Sequence, residues 1–235
     1  MYTEEENPWF TKDRSESLSN RVHRVLDNKN VSNPALGLNI YENAISAEDI
    51  ELVINTLESS LSDGSTYSWQ EAKVTNSEKP IKAARDCSDF KYNSKTLGPK
   101  NESNAGLIHI YEKMEDLVKK CVNDYAMYWG FNVVYYEVFN FVKYQGEGQE
   151  FKIHADHGPH YNTTVSIVAY LNDDYEGGEI CFPRLDNLTY KPKAGDIAVF
   201  PSNYIYEHAS LPLKSGTKYC IVIMSDINLL SHPGY

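Results

Sequence analysis

Cysteines are few in this 235-residue sequence, and none of the four forms a Cys-x-x-Cys pair. Cys87, Cys121, Cys181 and Cys220 lie far apart, whereas zinc clusters and the disulfide frameworks of small secreted proteins place cysteines at short, recurring spacings. The sequence therefore predicts neither a zinc cluster nor a disulfide scaffold. We interpret the four side chains as buried or free thiols.

Long apolar runs are also missing. The longest, from Tyr219 to Met224, is far shorter than the roughly 20 residues of a membrane-spanning helix. The N-terminal residues are acidic where a signal peptide has basic residues followed by an apolar stretch. We therefore expect a cytoplasmic protein with no membrane partner.

Positive charge is scarce in the chain as a whole. Its 22 Lys and Arg residues against 33 Asp and Glu residues give a net charge of -11, which repels a phosphate backbone, so no nucleic-acid partner is expected. Residues 71–100 are an exception, because they hold seven basic against four acidic residues. Such a segment is typical of a solvated loop or of short surface strands, and a lid over a substrate is the alternative.

Composition divides the chain into two parts. Residues 1–37 are polar and Asn-rich with no sustained period, which indicates an N-terminal extension. Residues 38–235 contain no linker and no internal repeat, so they are predicted to form a single domain.

Two amphipathic helices are predicted before a region of strands. Ser46 and Asp49 resemble a capping box ahead of apolar residues at helical spacing from Ile50 to Leu61, and a second apolar stripe covers 107–125. After Gly130 the chain consists of short runs rich in Val, Ile, Tyr and Phe, which predict strands. Their predicted ranges are 133–144, 149–156, 163–171, 179–182, 187–191, 196–200, 205–210 and 217–225. Helices followed by about eight closely spaced strands predict an α+β fold, with the strands in a jelly roll, also called a double-stranded β-helix.

Three residues of the strand region could share one metal ion. His154 and Asp156 are two apart on a predicted strand, so their side chains emerge on the same face. His208 lies on a later strand that a jelly roll would place nearby. Two His and one carboxylate form the facial triad of non-haem Fe(II) oxygenases, which leaves coordination positions open for reaction partners. The alternative for His154 and Asp156 is a polar, solvent-facing strand.

Lys218 stands inside the last predicted strand, within the run SGTKYCIVIM. A buried lysine needs an anion to offset the loss of its hydration, and a dicarboxylate would provide one. The alternative is a lysine at the first exposed position of the strand.

Four segments resemble the Fe(II)/2-oxoglutarate-dependent dioxygenases, and within them the prolyl 4-hydroxylase-like branch. KYQGEGQEFKIHAD is similar to that branch's first ligand strand, and VAYLNDDYEGGEICFP to the hairpin that follows it. PKAGDIAVFPSNYIYEHAS resembles the segment with the distal histidine, and GTKY the segment with the basic residue. The resemblance covers roughly Leu36 to Met224. No single segment is specific for the family, but the order and spacing of the four together are.

The resemblance implies a site and a reaction. His154, Asp156 and His208 would bind iron, Lys218 and Tyr170 would contact the distal carboxylate of 2-oxoglutarate, and Tyr144 would line the same pocket nearer the metal. It implies Fe(II), 2-oxoglutarate and O2, with ascorbate as a further candidate cofactor. For the two tyrosines, the alternative is a core residue whose hydroxyl has a partner elsewhere.

The substrate implied first is peptidyl proline, hydroxylated with release of succinate and CO2. A free amino acid or another small molecule is the alternative substrate. A rival from another class is a cupin-like barrel that binds a metal or a ligand without catalysis, because a fold does not dictate function.

The sequence departs from the family at several positions. Phe151 stands where the family often has Tyr, so a hydroxyl contact to the substrate is missing there. Lys218 matches the collagen-type and bacterial enzymes, whereas the oxygen-sensing ones use Arg. His157 is predicted to face away from the metal because it is adjacent to Asp156 on the strand, and His160 is expected on a surface loop. We expect no functional partner for the other three histidines, His23, His109 and His232.

Overall fold

A computed structural model describes residues 37–62, 64–74, 77–93, 95–158 and 162–232. The predicted extension over 1–37 therefore lies outside the described residues except for Gly37. Two α-helices are present in this part of the chain, α1 at Ala47–Ser60 and α2 at Ala105–Trp129. Both predicted helices are confirmed, and the Ser46 hydroxyl caps α1 by accepting a hydrogen bond from the Asp49 amide at 3.1 Å.

The described residues also form fourteen strands. The strands are β1 Asn39–Tyr41, β2 Gln70–Glu71, β3 Ser88–Tyr92, β4 Tyr135–Tyr136, β5 Phe139–Tyr144, β6 Phe151–His154, β7 Val165–Tyr170, β8 Glu176–Gly177, β9 Ile180–Phe182, β10 Leu188–Tyr190, β11 Ile197–Pro201, β12 His208–Ser210, β13 Leu213–Ser215 and β14 Lys218–Asp226. The largest sheet has the order β1-β11-β7-β14-β5-β3-β2, with β4 paired to β14. A second sheet has the order β10-β9-β12-β6, and β13 pairs with β8.

The strand pairing confirms the predicted α+β jelly roll. Each of the eight predicted ranges contains a strand, although 205–210 begins with a 3-10 turn at Tyr204–Tyr206 before β12. The sequence pattern did not predict β1, β2, β3, β8 and β13, because each is short and is defined by its pairing with a distant strand. The segment 71–100 is thus partly built into the large sheet, since β3 pairs with β5 along its full length.

The large sheet separates two apolar cores. Phe139 and Phe141 on β5 face the two helices, whereas Val142 and Tyr144 face the second sheet. The side chains of β14 alternate in the same way, and Ile221 lies on the side of the helices. The alternation places every second residue of β5, β7 and β14 in the space between the sheets, where the candidate site lies.

Neither helix in the described part of the chain is both long and apolar enough to cross a membrane.

Candidate metal centre

His154, Asp156 and His208 converge between the two sheets. His154 Nε2 lies 3.5 Å from Asp156 Oδ1, and His208 Nε2 lies 3.7 Å from Asp156 Oδ2. One ligand atom from each residue can be chosen so that all three lie within 4.8 Å of one another. The structure therefore brings together the three residues that the sequence pattern selected.

Strand pairing creates this convergence. Strands β6 and β12 are antiparallel neighbours, and His208 lies directly opposite His154 in their register. Asp156 follows two residues after His154, so it returns to the same face just beyond the end of β6. The pairing thus brings the distal histidine to a ligand pair that lies 52 residues earlier in the chain.

Both imidazoles present Nε2 to the centre. His154 Nδ1 lies 2.7 Å from the Lys152 carbonyl oxygen, and His208 Nδ1 lies 3.0 Å from the Tyr206 carbonyl oxygen. A carbonyl only accepts hydrogen bonds, so Nδ1 carries the proton in each neutral ring and Nε2 has a free lone pair. The outer partners that orient the two histidines are therefore backbone carbonyls, one in β6 and one in the 3-10 turn that precedes β12.

The protonation states suit a divalent cation. Burial lowers the pKa of His208 to about 4, so its ring is neutral near pH 7. Burial works against ionisation of Asp156, but the neighbouring imidazoles and the Ser166 hydroxyl outweigh it and lower the pKa of this carboxyl to about 2. Two neutral imidazoles and one carboxylate form the donor set that Fe(II) accepts in facial-triad enzymes, so the residues present fit this ion.

A pair of buried serines holds the carboxylate. The Ser166 hydroxyl donates to Asp156 Oδ2 at 2.6 Å and lies 2.8 Å from the Ser202 hydroxyl. Since Ser166 has only one proton and gives it to Asp156, Ser202 donates to Ser166. Sequence reasoning missed Ser166, although its spacing of four from Tyr170 on an alternating strand marks it as facing the same cavity.

We expect Ser166→Ala to weaken iron binding about tenfold, because partners of metal ligands typically contribute a factor of 10 to 100. Co(II) replaces Fe(II) in the test. Titration with Co(II) under argon, followed by its visible spectrum, measures the affinity of the metal site without turnover. Ser225→Ala is the matched control, since that serine is equally buried but donates to the Val165 carbonyl. Equal affinities for the two variants would contradict a positioning role for Ser166.

Lys218 occupies the inner end of the cavity. Its ammonium group is buried, and it donates to the Gly178 carbonyl at 2.6 Å and to the Ser210 hydroxyl at 2.9 Å. Among the described residues, no carboxylate forms an ion pair with it. Burial lowers the pKa of Lys218 because the charged form loses its hydration. Lys218 is therefore buried, and the alternative of a lysine at the first exposed position of the strand is wrong.

Tyr144 and Tyr170 flank this ammonium group. Lys218 Nζ lies 5.1 Å from the centre of the Tyr144 ring and 5.6 Å from that of Tyr170. Both rings are buried and both line the cavity, and burial raises the pKa of each phenol well above its usual value. Each is consequently a neutral phenol whose ring lies within 6 Å of the ammonium group, an environment that suits the recognition of a small anion.

The Gly177–Gly178 turn supplies the carbonyl that Lys218 contacts. Both glycines have positive φ angles, 74° and 64°. A Cβ at Gly177 would lie 2.3 Å from the Pro212 carbonyl oxygen, so no other residue fits there without a backbone shift. The turn thus positions the Gly178 carbonyl beside the ammonium group.

The remaining histidines lie elsewhere. His157 Nδ1 faces the Thr163 carbonyl oxygen at 2.9 Å, which agrees with its predicted orientation away from the metal. His109 is exposed on α2, and His23 and His160 lie outside the described residues. His232 has a structural partner away from the metal centre, since its Nε2 lies 2.9 Å from Asp226 Oδ2 and its ring stacks on Tyr135. That contact links the end of the described chain to β14, a pairing that sequence spacing alone does not indicate.

Phe151 has a contact that sequence reasoning did not anticipate. Its ring stacks on His154 with centroids 3.6 Å apart, and the Arg85 guanidinium carbon lies 5.0 Å from the centre of the Phe151 ring. Arg85 comes from the segment 71–100, and its backbone forms a bridge with Phe151. Only the pairing of distant segments reveals that Arg85 lies beside Phe151, because nothing in the sequence around Arg85 indicates this position.

A cavity of about 650 Å³ connects these features. Its wall includes the three candidate metal ligands, Lys218 and the two tyrosines. The size and the mixture of apolar walls with a few convergent polar groups are typical of small-molecule and cofactor sites.

The chain resembles known oxygenases in sequence and in structure. Residues 139–224 match the family model of the 2OG-Fe(II) oxygenase superfamily. No curated protein sequence matches the chain. That family uses Fe(II), 2-oxoglutarate and O2, and the His-Asp-His arrangement fits iron binding.

Solved structures share the fold at low sequence identity. A prolyl hydroxylase from Trichoplax adhaerens, in complex with a hypoxia inducible factor oxygen degradation domain peptide fragment, has a TM-score of 0.64 and 13% identity over 92% of this chain and 94% of its own. A Pseudomonas putida prolyl-4-hydroxylase has a TM-score of 0.59 and 16% identity over 90% of this chain and 99% of its own. For the viral collagen prolyl hydroxylase of Paramecium Bursaria Chlorella virus-1 in its 2OG complex, the TM-score is 0.57 and the identity 17%, over 81% and 96% of the two chains. The chain is thus similar over residues 139–224 to the 2OG-Fe(II) oxygenase superfamily, and it shares its fold with solved prolyl hydroxylases.

Proposed function

We propose that the protein is a 2-oxoglutarate-dependent dioxygenase that hydroxylates an unactivated C–H bond, with peptidyl proline as the substrate. The observation that carries this proposal is the combination, in one cavity, of the two-His, one-carboxylate triad with a buried lysine that has no carboxylate partner in the described structure. A structural metal site would not need the open cavity, and an ordinary core would not contain the unpaired ammonium group.

Each residue has a separate role in the proposed reaction. His154, Asp156 and His208 bind Fe(II), and the carbonyls that face both Nδ1 atoms keep the rings in the binding tautomer. The Lys218 ammonium group and the Tyr170 hydroxyl hold the distal carboxylate of 2-oxoglutarate, while Tyr144 lines the pocket between that carboxylate and the metal. Bound together, Fe(II), 2-oxoglutarate and O2 supply an oxidative decarboxylation that releases succinate and CO2 and inserts one oxygen atom into the substrate.

The protein controls this chemistry by orientation and by exclusion of water. The cavity wall includes the apolar side chains of Val142, Val168 and Ile180. An anion held in such a low-dielectric pocket interacts more strongly with Lys218 than it would in water. The protein thus positions the cosubstrate, and the cofactor performs the oxidation.

The prolyl substrate is supported by likeness of fold to prolyl hydroxylases, one of which is bound to a peptide. We expect the full chain with Fe(II) and 2-oxoglutarate to release succinate faster when a proline-containing peptide is added, and the peptide to gain one oxygen by mass spectrometry. Free proline and the same peptide with alanine in place of proline are the controls. Equal rates with all three would exclude the prolyl assignment, whereas a response to free proline alone would identify a small-molecule hydroxylase.

The rival interpretation, a barrel that binds metal without catalysis, has a different signature. It requires metal uptake with no succinate above the background seen without protein, whichever substrate is added. Succinate that depends on both Fe(II) and the chain would rule it out.

A further inference from the structure

Basic side chains collect around the mouth of the cavity in a protein of net charge -11. Four of them lie on its wall in addition to Lys218: Lys73, Arg85, Lys91 and Lys152. Glu137 is an acidic residue on the same wall.

The cations at the mouth outnumber the carboxylates that pair with them. Asp89 forms ion pairs with two of the cations, since its Oδ2 lies 3.2 Å from Arg85 Nη2 and 3.8 Å from Lys91 Nζ. Glu150 pairs with Lys152 at 2.5 Å. No carboxylate in the described part of the chain lies within 4 Å of the Lys73 amine. Two carboxylates therefore face four cations, which leaves positive charge available for a ligand even after Glu137 is counted.

Arg85 is fixed in place beside the metal-ligand strand. Its side chain is 8% exposed, donates to the Lys73 carbonyl at 3.0 Å and stacks on Phe151. The backbone on either side pairs with the edge of β6, because the Lys152 amide donates to Ala84 and the Asp86 amide to Glu150. The backbone at Arg85 therefore extends the second sheet next to His154, and this pairing holds the Arg85 charge beside the metal-ligand strand.

Asn140 adds a buried polar group to the same cavity. The residue is 8% exposed and lines the wall, yet its Oδ1 atom has no hydrogen-bond partner in the described structure. Asn140 lies directly opposite Lys91 in the register of β3 and β5, whereas Tyr144 lies opposite Lys218. The unpaired Oδ1 atom thus belongs to a residue four positions along β5 from the end that holds Lys218. A buried amide left without a partner is costly, so a ligand that pairs with it gains affinity.

We propose that this end of the cavity, formed by Lys73, Arg85, Lys91 and Asn140, binds an acidic peptide segment adjacent to the residue that is hydroxylated. The cations pair with a Glu or Asp side chain of the peptide, and the Asn140 amide pairs with its main chain. This inference rests on the proposed function, because it places the peptide relative to the metal. It narrows the substrate class to acidic peptides.

Binding without turnover tests the proposal. Fluorescence anisotropy compares short labelled peptides that have proline flanked by Glu with isosteric peptides flanked by Gln, on the full chain with Mn(II) and 2-oxoglutarate under argon. We expect the Glu peptide to bind about tenfold more tightly at low ionic strength, and the difference to shrink in about 1 M salt, where the screening length falls to about 3 Å. Equal affinity of the two peptides would overturn the proposal.

Variants test whether the preference for the Glu peptide depends on the proposed residues. Lys73→Ala combined with Lys91→Ala should remove the preference for Glu and leave the affinity of the Gln peptide unchanged. Lys119→Ala is the matched control, since that side chain is 43% exposed against 49% for Lys91 and lies on α2, away from the cavity. Asn140→Leu should weaken both peptides by the same factor, about threefold to tenfold, since it removes a main-chain contact. A preference that survives the double lysine variant would overturn the assignment to these residues.

The outcome separates this inference from the proposed function. If the Glu preference is found but neither peptide is hydroxylated, the acidic site stands and the prolyl assignment fails. If both peptides bind and are hydroxylated equally, the prolyl assignment stands and the acidic site fails.

Discussion

Asp156→Ala is expected to abolish Fe(II) binding by this protein. Asp156 is the carboxylate that lies between the two histidines, 3.5 Å from one Nε2 atom and 3.7 Å from the other. Without it, the two imidazoles retain only neutral donors, and the cation loses its charge-neutralising ligand. Since loss of an outer partner alone costs about 10- to 100-fold in affinity, loss of the ligand should exceed that range.

Anaerobic addition of Fe(II) and 2-oxoglutarate measures the effect. The wild type should develop a weak visible metal-to-ligand absorption band, and the variant should show none at the same concentrations. Asp226→Ala is a matched control, because that carboxylate is also buried but pairs with His232 and Thr164. A band of normal intensity in folded Asp156→Ala would show that the metal binds elsewhere.

The triad was predictable because it depends on local geometry. His154 and Asp156 satisfy the two-residue period of a strand, and His208 required only that two strands of a jelly roll lie side by side. Their pairing in register places the ligands within reach of one ion. Lys218 was predictable for a similar reason, since a cation inside an apolar strand stands out in the sequence.

The rest of the site depends on contacts between distant segments. Arg85 reaches the cavity because β3 pairs with β5 and because Arg85 itself bridges to Phe151. Neither pairing has a local signal, since β3 is a five-residue strand with polar residues at both alternations. Asn140 likewise resembles an ordinary polar residue of a strand until its neighbours across the sheet are known. Long-range register decides which polar residues enter the cavity, and sequence patterning does not specify it for short strands.

Four of the 18 tyrosines show two different structural uses. The rings of Tyr144 and Tyr170 lie 5.1 Å and 5.6 Å from the Lys218 ammonium group inside the cavity. Tyr92 and Tyr125 instead belong to the core under the helices, where they donate to the carbonyls of Leu107 at 2.9 Å and Gly37 at 2.7 Å. The same residue type thus surrounds a buried ammonium group on one face of the sheet and closes backbone hydrogen bonds on the other. Composition alone did not distinguish these two uses.

Lys218→Met is expected to raise the concentration of 2-oxoglutarate needed for half-saturation by a large factor. Removing one member of a buried charge pair typically costs about 2–5 kcal/mol, which corresponds to about 30-fold to about 5,000-fold in affinity. Methionine fills a similar volume, so the pocket retains its shape and Fe(II) affinity should not change. Lys143→Met is the control, because Lys143 is also buried but pairs with Glu58 and does not line the cavity. An unchanged requirement in Lys218→Met would place the anion site elsewhere.

The pH dependence of 2-oxoglutarate binding tests the same ammonium group independently. Burial lowers the pKa of Lys218, so the free protein loses this proton at a lower pH than an exposed lysine does. The bound dicarboxylate favours the charged form, and binding above that pKa must therefore take up a proton, which weakens affinity as the pH rises. Lys218→Arg should bind with little pH dependence over the same range, since a guanidinium group stays protonated. Titration of 2-oxoglutarate between about pH 7 and pH 10 by isothermal calorimetry under argon measures both curves. Parallel curves for the two proteins would show that Lys218 does not bind the cosubstrate.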